Sequence, residues 1–166
     1  LGIRADAIIR MDEELLDYLF KKLSLEMGGK NATLVFADAD VDRAAATGAV
    51  RAAFSNQGQI CLCGSRILVE KSIYIKFKNK LIQAIRTLRV GGPLEQKTGE
   101  VFEQGAIVSC AHFEKVLAAI ESAKRAGGQI LVGGNPVKLQ GRCRNGFFIE
   151  PTLIEGLSAS CAINQE

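Results

Sequence analysis

Cys61 and Glu26 are the residues of this sequence whose types and surroundings best suit chemistry. Cys61 lies in Asn56-Gln57-Gly58-Gln59-Ile60-Cys61-Leu62-Cys63-Gly64-Ser65-Arg66, a polar, glycine-punctuated turn. An apolar-patterned segment precedes it, and the β-rich run Ile67-Leu68-Val69 follows. Glycines let a backbone turn sharply and approach a ligand, and Asn and Gln supply uncharged donors and acceptors. Donors around a thiol favour the nucleophilic thiolate, which an ordinary cysteine with a pKa of about 8.5 scarcely populates at neutral pH. Taken alone, such a cysteine reads first as a small buried hydrophobe in a helix-to-strand linker. Glu26 stands at the end of a predicted strand, just before Met27-Gly28-Gly29-Lys30. Strand ends of α/β sheets are common sites for ligands and catalytic groups. A carboxylate there can serve as a general base if partial burial raises its pKa. By itself it reads more simply as an exposed glutamate paired with Lys30.

Other chemistries find little material. Gly28-Gly29-Lys30 is too short for a phosphate loop, and no GxGxxG occurs. Ser65, Ser72 and Ser158 lie outside any GxSxG elbow, and the single histidine, His112, reads as a helix-start residue. Cysteines 61, 63, 110, 143 and 161 are odd in number and irregular in spacing, which fits a reducing compartment, the cytoplasm, better than a disulfide framework. Cys61-x-Cys63 does not suit a zinc knuckle, so no metal site is expected. A net charge of +3 with both signs interleaved gives no case for nucleic acid or an anionic membrane surface. The apolar runs fall well short of the ~20 residues of a membrane-spanning helix. The 166 residues suffice for one core, and a start at Leu1 without methionine reads as a fragment or a processed product.

The elements that must position the two residues follow from periodicity. Residues 12–22 read as a short helix, acidic first and basic last. Leu23 to Met27 alternates like a strand, and Ala32 to Phe36 is a second strand expected beside it. Asp38, Asp40 and Asp42 open an alanine-rich helix over 44–54. Arg66 to Glu70 is a strand, and Ser72 is expected to cap a helix whose apolar side is Ile73, Phe77, Leu81, Ile85 and Leu88. Residues 94–108 read as loop, Ala111 to Ala126 as an amphipathic helix stopped by Gly127-Gly128, and Gln129 to Val132 as a strand. Residues 133–145 read as a glycine-rich surface excursion and 147–154 as extended chain. This order predicts an α/β fold, layered α/β/α with a partly parallel sheet.

Read together, the two segments point further. Leu23-Ser24-Leu25-Glu26-Met27-Gly28-Gly29-Lys30-Asn31, followed by Phe54-Ser55-Asn56-Gln57-Gly58-Gln59-Ile60-Cys61, resembles the glutamate and cysteine signatures of the aldehyde dehydrogenase superfamily, in order and near the usual separation. The similarity continues through Gly64-Ser65-Arg66, 105–116, 146–152 and 160–166. It covers residues 23–166, as part of that family's catalytic domain, with 1–22 outside it. The resemblance implies that Cys61 attacks an aldehyde carbonyl and that NAD or NADP accepts hydride from the adduct. Glu26 would then activate the water that hydrolyses the resulting thioester. It also implies that Met27 and Gly28 lie near the nicotinamide, that Glu166 binds its ribose, and that His112 to Val116, Lys115 included, runs beside the adenosine. The Ile60-Cys61-Leu62-Cys63 pattern with Leu23-Ser24-Leu25-Glu26 upstream is most similar to the muconic semialdehyde dehydrogenase branch. The implied substrate is a small-molecule aldehyde, and the full-length form would be a homo-oligomer.

The sequence also departs from the family. Its glycine-rich segment, cofactor lysine and oxyanion asparagine are not found in residues 1–22. Gln165 stands where an acidic residue is often found. The Glu26–Cys61 separation is one residue longer than is commonest. Impaired turnover is therefore expected of the chain alone, with a non-catalytic binding or structural protein of the same fold as the alternative. A redox protein using Cys61 and Cys63 is a third reading.

Overall fold

A computed structural model describes residues 28–97, 99 and 101–165. The expected helix over 12–22 and strand over 23–27, with Glu26, Met27 and Glu166, lie outside the described residues.

The fold is α/β. Strand β1 (Ala32–Val35) pairs in parallel with β2 (Arg66–Val69), in the register Ala32↔Arg66 to Val35↔Val69. Helix α1 crosses between them over residues 41–54. Asp40 caps it, its carboxylate accepting from the Arg43 N–H at 3.2 Å. The helix widens into a π-helical stretch at Ala44–Ala49 and resumes at Val50–Phe54. Ala45 and Ala49 are fully buried there, because side chains this small let a neighbouring helix come close. That neighbour is α2 (Tyr74–Arg86), whose Phe77, Leu81 and Ile85 are buried, with Ile73 and Leu88 packed against the same cluster. The predicted apolar stripe is thus the core face, completed by Val35, Val41 and Val50.

Ser72 does not cap α2. Residues Lys71–Ile73 form a 3-10 turn ahead of the helix, and the Ser72 hydroxyl instead donates to Glu70 Oε1 at 2.8 Å. Glu70 also accepts from the Ala37 N–H at 2.8 Å, so the end of β2 is bound to the chain leaving β1.

Helix α3 (Cys110–Arg125) starts at Ser109, whose hydroxyl accepts from the His112 N–H at 3.2 Å, and it stops before Gly127-Gly128 as expected. Strand β3 (Gln129–Val132) is antiparallel to β6 (Leu153–Glu155). The expected surface excursion contains a short strand, β4 (Pro136–Val137), paired with β5 (Phe148–Ile149). Pro136-Val137 is too short to show alternation in the sequence. Helix α4 (Ala162–Gln165) ends the described chain. No helix among the described residues is long and apolar enough to cross a membrane.

Candidate active site

Parallel pairing of β1 and β2 brings their amino ends side by side, together with the segments that lead into them. Those segments are Gly28–Asn31 and Cys61–Ser65, so the described part of the first signature and the cysteine turn of the second converge at the amino ends of these strands. Their contact is intimate. A Cβ on Gly29 would stand 2.9 Å from the Cys61 carbonyl oxygen, so only glycine allows this approach. Asn31 Nδ2 donates to the same oxygen at 2.8 Å, and the Asn31 carbonyl accepts from the Arg66 N–H at 3.2 Å. Arg66 also places Nε and Nη2 on the Lys30 carbonyl, at 3.0 and 2.5 Å. One residue past the loop's second cysteine, a Cβ on Gly64 would overlap the Thr33 hydroxyl, where the chain passes closely over β1.

Cys61 occupies the tip of a turn closed by the Cys63 N–H on the Ile60 carbonyl at 3.0 Å. Its side chain is exposed, as is that of Leu62. Cys63 turns inward: it is buried, and its thiol donates weakly to the Ser55 carbonyl at 3.8 Å. Of two cysteines two residues apart, the turn therefore offers one to solvent and commits the other to packing.

Asn56 and Gln57 enter the loop with left-handed backbone, at φ 49° and 57°. Asparagine tolerates that region, whereas glutamine does so at some cost. Gln57 Oε1 is buried without a hydrogen-bond partner among the described residues. What holds this conformation is the stretch 104–108, which the sequence offered only as loop. Buried Gln104 donates from Nε2 to the Phe54 carbonyl at 2.9 Å, Gly105 lies against the Gln57 amide, and the Val108 N–H reaches Gln59 Oε1 at 3.2 Å. The strap is in turn anchored by the Ile107 N–H on the Phe147 carbonyl at 2.7 Å. A glutamine alone in a patternless stretch gives no signal of such a role.

The other predicted site residues fall as follows. Gly28 is exposed, with open space where a side chain would be, next to Gly29 and so beside Cys61. Lys30 Nζ donates to the Ile163 carbonyl at 2.9 Å, tying α4 to the same end of the sheet. His112 and Lys115 lie on the first turns of α3, half-buried and exposed respectively. Their side chains make no hydrogen bond to the Cys61 loop among the described residues. No cluster of His, Cys, Asp and Glu suited to a metal occurs among the described residues.

Comparison with known proteins gives the family. A model of the aldehyde dehydrogenase family matches residues 9–166, reaching into the 9–22 segment that the sequence signatures leave out. The chain is 43% identical over 148 residues to a 2-aminomuconic semialdehyde dehydrogenase of Danio rerio, covering 88% of this chain and 29% of that protein. It is 38% identical over 146 residues to a 2-aminomuconic 6-semialdehyde dehydrogenase of Pseudomonas sp, again covering 88% of this chain and 29% of the relative. Among solved structures it superposes on the P. syringae indole-3-acetaldehyde dehydrogenase in complex with NAD+ and IAA. There the TM-score is 0.79 and the identity 32%, over 95% of this chain and 31% of that one. The chain thus spans about three tenths of the length of the relatives it matches.

Proposed function

Since the chain belongs to the aldehyde dehydrogenase family, we propose that Cys61 is its nucleophile, Glu26 its general base, and oxidation of an aldehyde to a carboxylic acid its reaction. The observation that carries this reading is the exposed Cys61 thiol at a turn tip, clamped against the segment that directly follows Glu26. The chain spans 29% of the length of its first relatives, so the oxidation is proposed for a protein of their kind, to which these residues bring nucleophile and base.

Cys61 Sγ adds to the aldehyde carbon, and the carbonyl oxygen takes the negative charge, facing the Cys61 N–H. NAD or NADP, with Met27 and Gly28 near the nicotinamide, Glu166 at its ribose and His112 and Lys115 toward the adenosine, would supply the hydride acceptor that turns this adduct into a thioester. Glu26 takes a proton from water, the hydroxide adds to the thioester carbon, and the carbon–sulfur bond breaks to release the acid and the thiolate. The substrate proposed is a semialdehyde, supported by the names of the relatives at 43% and 38% identity. Five free cysteines favour a cytoplasmic setting, and the apolar surface at Leu34, Phe36 and Leu68 favours assembly into an oligomer.

Hydrolysis of p-nitrophenyl acetate without cofactor tests the pair directly. Cys61→Ala is expected to abolish the acyl-enzyme, and Glu26→Gln to leave the acyl burst while slowing turnover. A rate unchanged in Cys61→Ala would remove the proposal. Calorimetric titration with NAD+ and with NADP+ reads the cofactor site independently of either residue.

A further inference from the structure

We propose that Asn31 is a positioning residue for the nucleophile: its carboxamide fixes the peptide group that carries Cys61. This rests on Cys61 being the nucleophile, and it adds a residue to which the family signatures give no role.

The turn tip is the least supported part of the loop. One bond closes it, from the Cys63 N–H to the Ile60 carbonyl. Among the described residues, further support arrives on its two legs. Upstream, the Val108 N–H holds Gln59; downstream, the Gly64 N–H reaches the Ala52 carbonyl at 2.9 Å. Between them the Cys61 carbonyl lies against Gly29 at the exposed tip, a contact that gives it no hydrogen bond. Asn31 Nδ2 takes it at 2.8 Å. Fixing that carbonyl restrains ψ at Cys61, and with it the direction of the Cα–Cβ bond that carries the sulfur.

The arm is short and its base is rigid. Asn31 immediately precedes β1, and its own carbonyl is held by the Arg66 N–H. Its neighbour Lys30 is pinned twice, by the Arg66 guanidinium on its carbonyl and by its ammonium on the Ile163 carbonyl. A longer side chain would carry its rotamer freedom to the tip, and a hydroxyl lacks the reach. Aspartate has the right shape but offers an acceptor to an acceptor, so it separates packing from hydrogen bonding. Small misplacements of a reacting atom lower rate far more than they lower binding, so the effect belongs in the acylation step, where Cys61 attacks.

The test uses the full chain with Asn31→Ala and Asn31→Asp. In cofactor-free ester hydrolysis, both are expected to slow the acyl burst about three- to tenfold, the equivalent of one net hydrogen bond. In parallel, iodoacetamide labelling of Cys61 is measured against Cys110, also exposed and remote in sequence, as an internal standard. The Cys61/Cys110 ratio is expected to fall by a similar factor in both variants. An unchanged ratio would overturn the proposal. So would equal slowing at both cysteines, which signals general loosening, or a defect in Asn31→Ala that Asn31→Asp repairs, which assigns Asn31 to packing. If the unsubstituted chain hydrolyses no ester, the reading of Cys61 as an acyl carrier fails. The labelling ratio still decides whether Asn31 sets the geometry of that thiol.

Discussion

Gly29 and Cys61 meet across the amino ends of two parallel strands, with 2.9 Å between the Cys61 carbonyl oxygen and the place a Gly29 side chain would occupy. That separation is below any real Cβ contact, and the obstacle is backbone, which cannot step aside. Gly29→Ala must therefore push the cysteine loop away from the segment that follows Glu26. Cofactor-free ester hydrolysis is expected to fall about 100-fold, the scale of a displacement near 1 Å at the reacting atoms. The circular-dichroism spectrum should stay that of the unsubstituted chain. Retention of more than half the activity would show that the two segments need not touch.

The inward and outward cysteines should separate by chemistry. Brief iodoacetamide treatment of the native chain is expected to label Cys61 and leave Cys63 protected, because the latter is buried. Cys63→Ala should keep the ester hydrolysis that Cys61→Ala abolishes, at a cost of about 1 kcal/mol in stability. Equal labelling of both, read by peptide mass spectrometry, would favour the redox reading, in which the two sulfurs act as a pair.

Much of this was legible beforehand, for reasons that differ by element. Helix α2 shows its core face in the spacing of Phe77, Leu81 and Ile85, because a helix covering one layer must be apolar on one side. Cys61 stands out as a candidate only together with Glu26, through the order of two signatures. The pairing of β1 with β2 lies between residues 34 apart in the chain, and no local pattern encodes such a partner. Nor does any pattern reveal Gln104, whose part in bracing the loop comes from where its amide lands. The misplaced Ser72 cap is instructive: a serine before an apolar run suits a cap, but Glu70 two residues earlier offered its hydroxyl a charged acceptor.

The shared core of α1, α2 and β1 makes Phe77 the sharpest stability probe. It is 1% exposed and among the largest fully buried side chains. Phe77→Ala should cost about 3–5 kcal/mol, from lost burial and a residual cavity. That is a large fraction of the ~5–15 kcal/mol that holds a typical domain folded, so the urea midpoint of the variant should fall well below that of the unsubstituted chain. Phe77→Leu, which keeps most of the volume, should cost far less. A similar midpoint for both would mean that this core is not what holds the helices to the sheet.

The polar tie between α2 and β6 predicts how stability depends on pH. The Tyr74 hydroxyl donates to Glu155 Oε2, and Lys78 Nζ lies 3.1 Å from both carboxylate oxygens. The Tyr74 hydrogen bond, and then Lys78, hold the Glu155 carboxyl below its ordinary 4.5. The same bond to Glu155, with some burial, pushes Tyr74 up from 10.0 to about 12. The signs follow from which form the folded state prefers. Glu155 prefers to be charged, so its contribution is full above pH 4.5 and is lost as pH falls through the lowered value. Tyr74 prefers to be protonated, so its contribution is full below pH 10 and is lost between 10 and about 12. Tyr74→Phe removes the hydroxyl at nearly constant volume. It should abolish the Tyr74 part of the alkaline decline and shrink the acid one, because this bond is the largest cause of the Glu155 shift. Urea midpoints measured across pH for both proteins give the comparison. Parallel curves, offset but equal in shape, would mean that the Tyr74–Glu155 bond does not contribute to folding in solution.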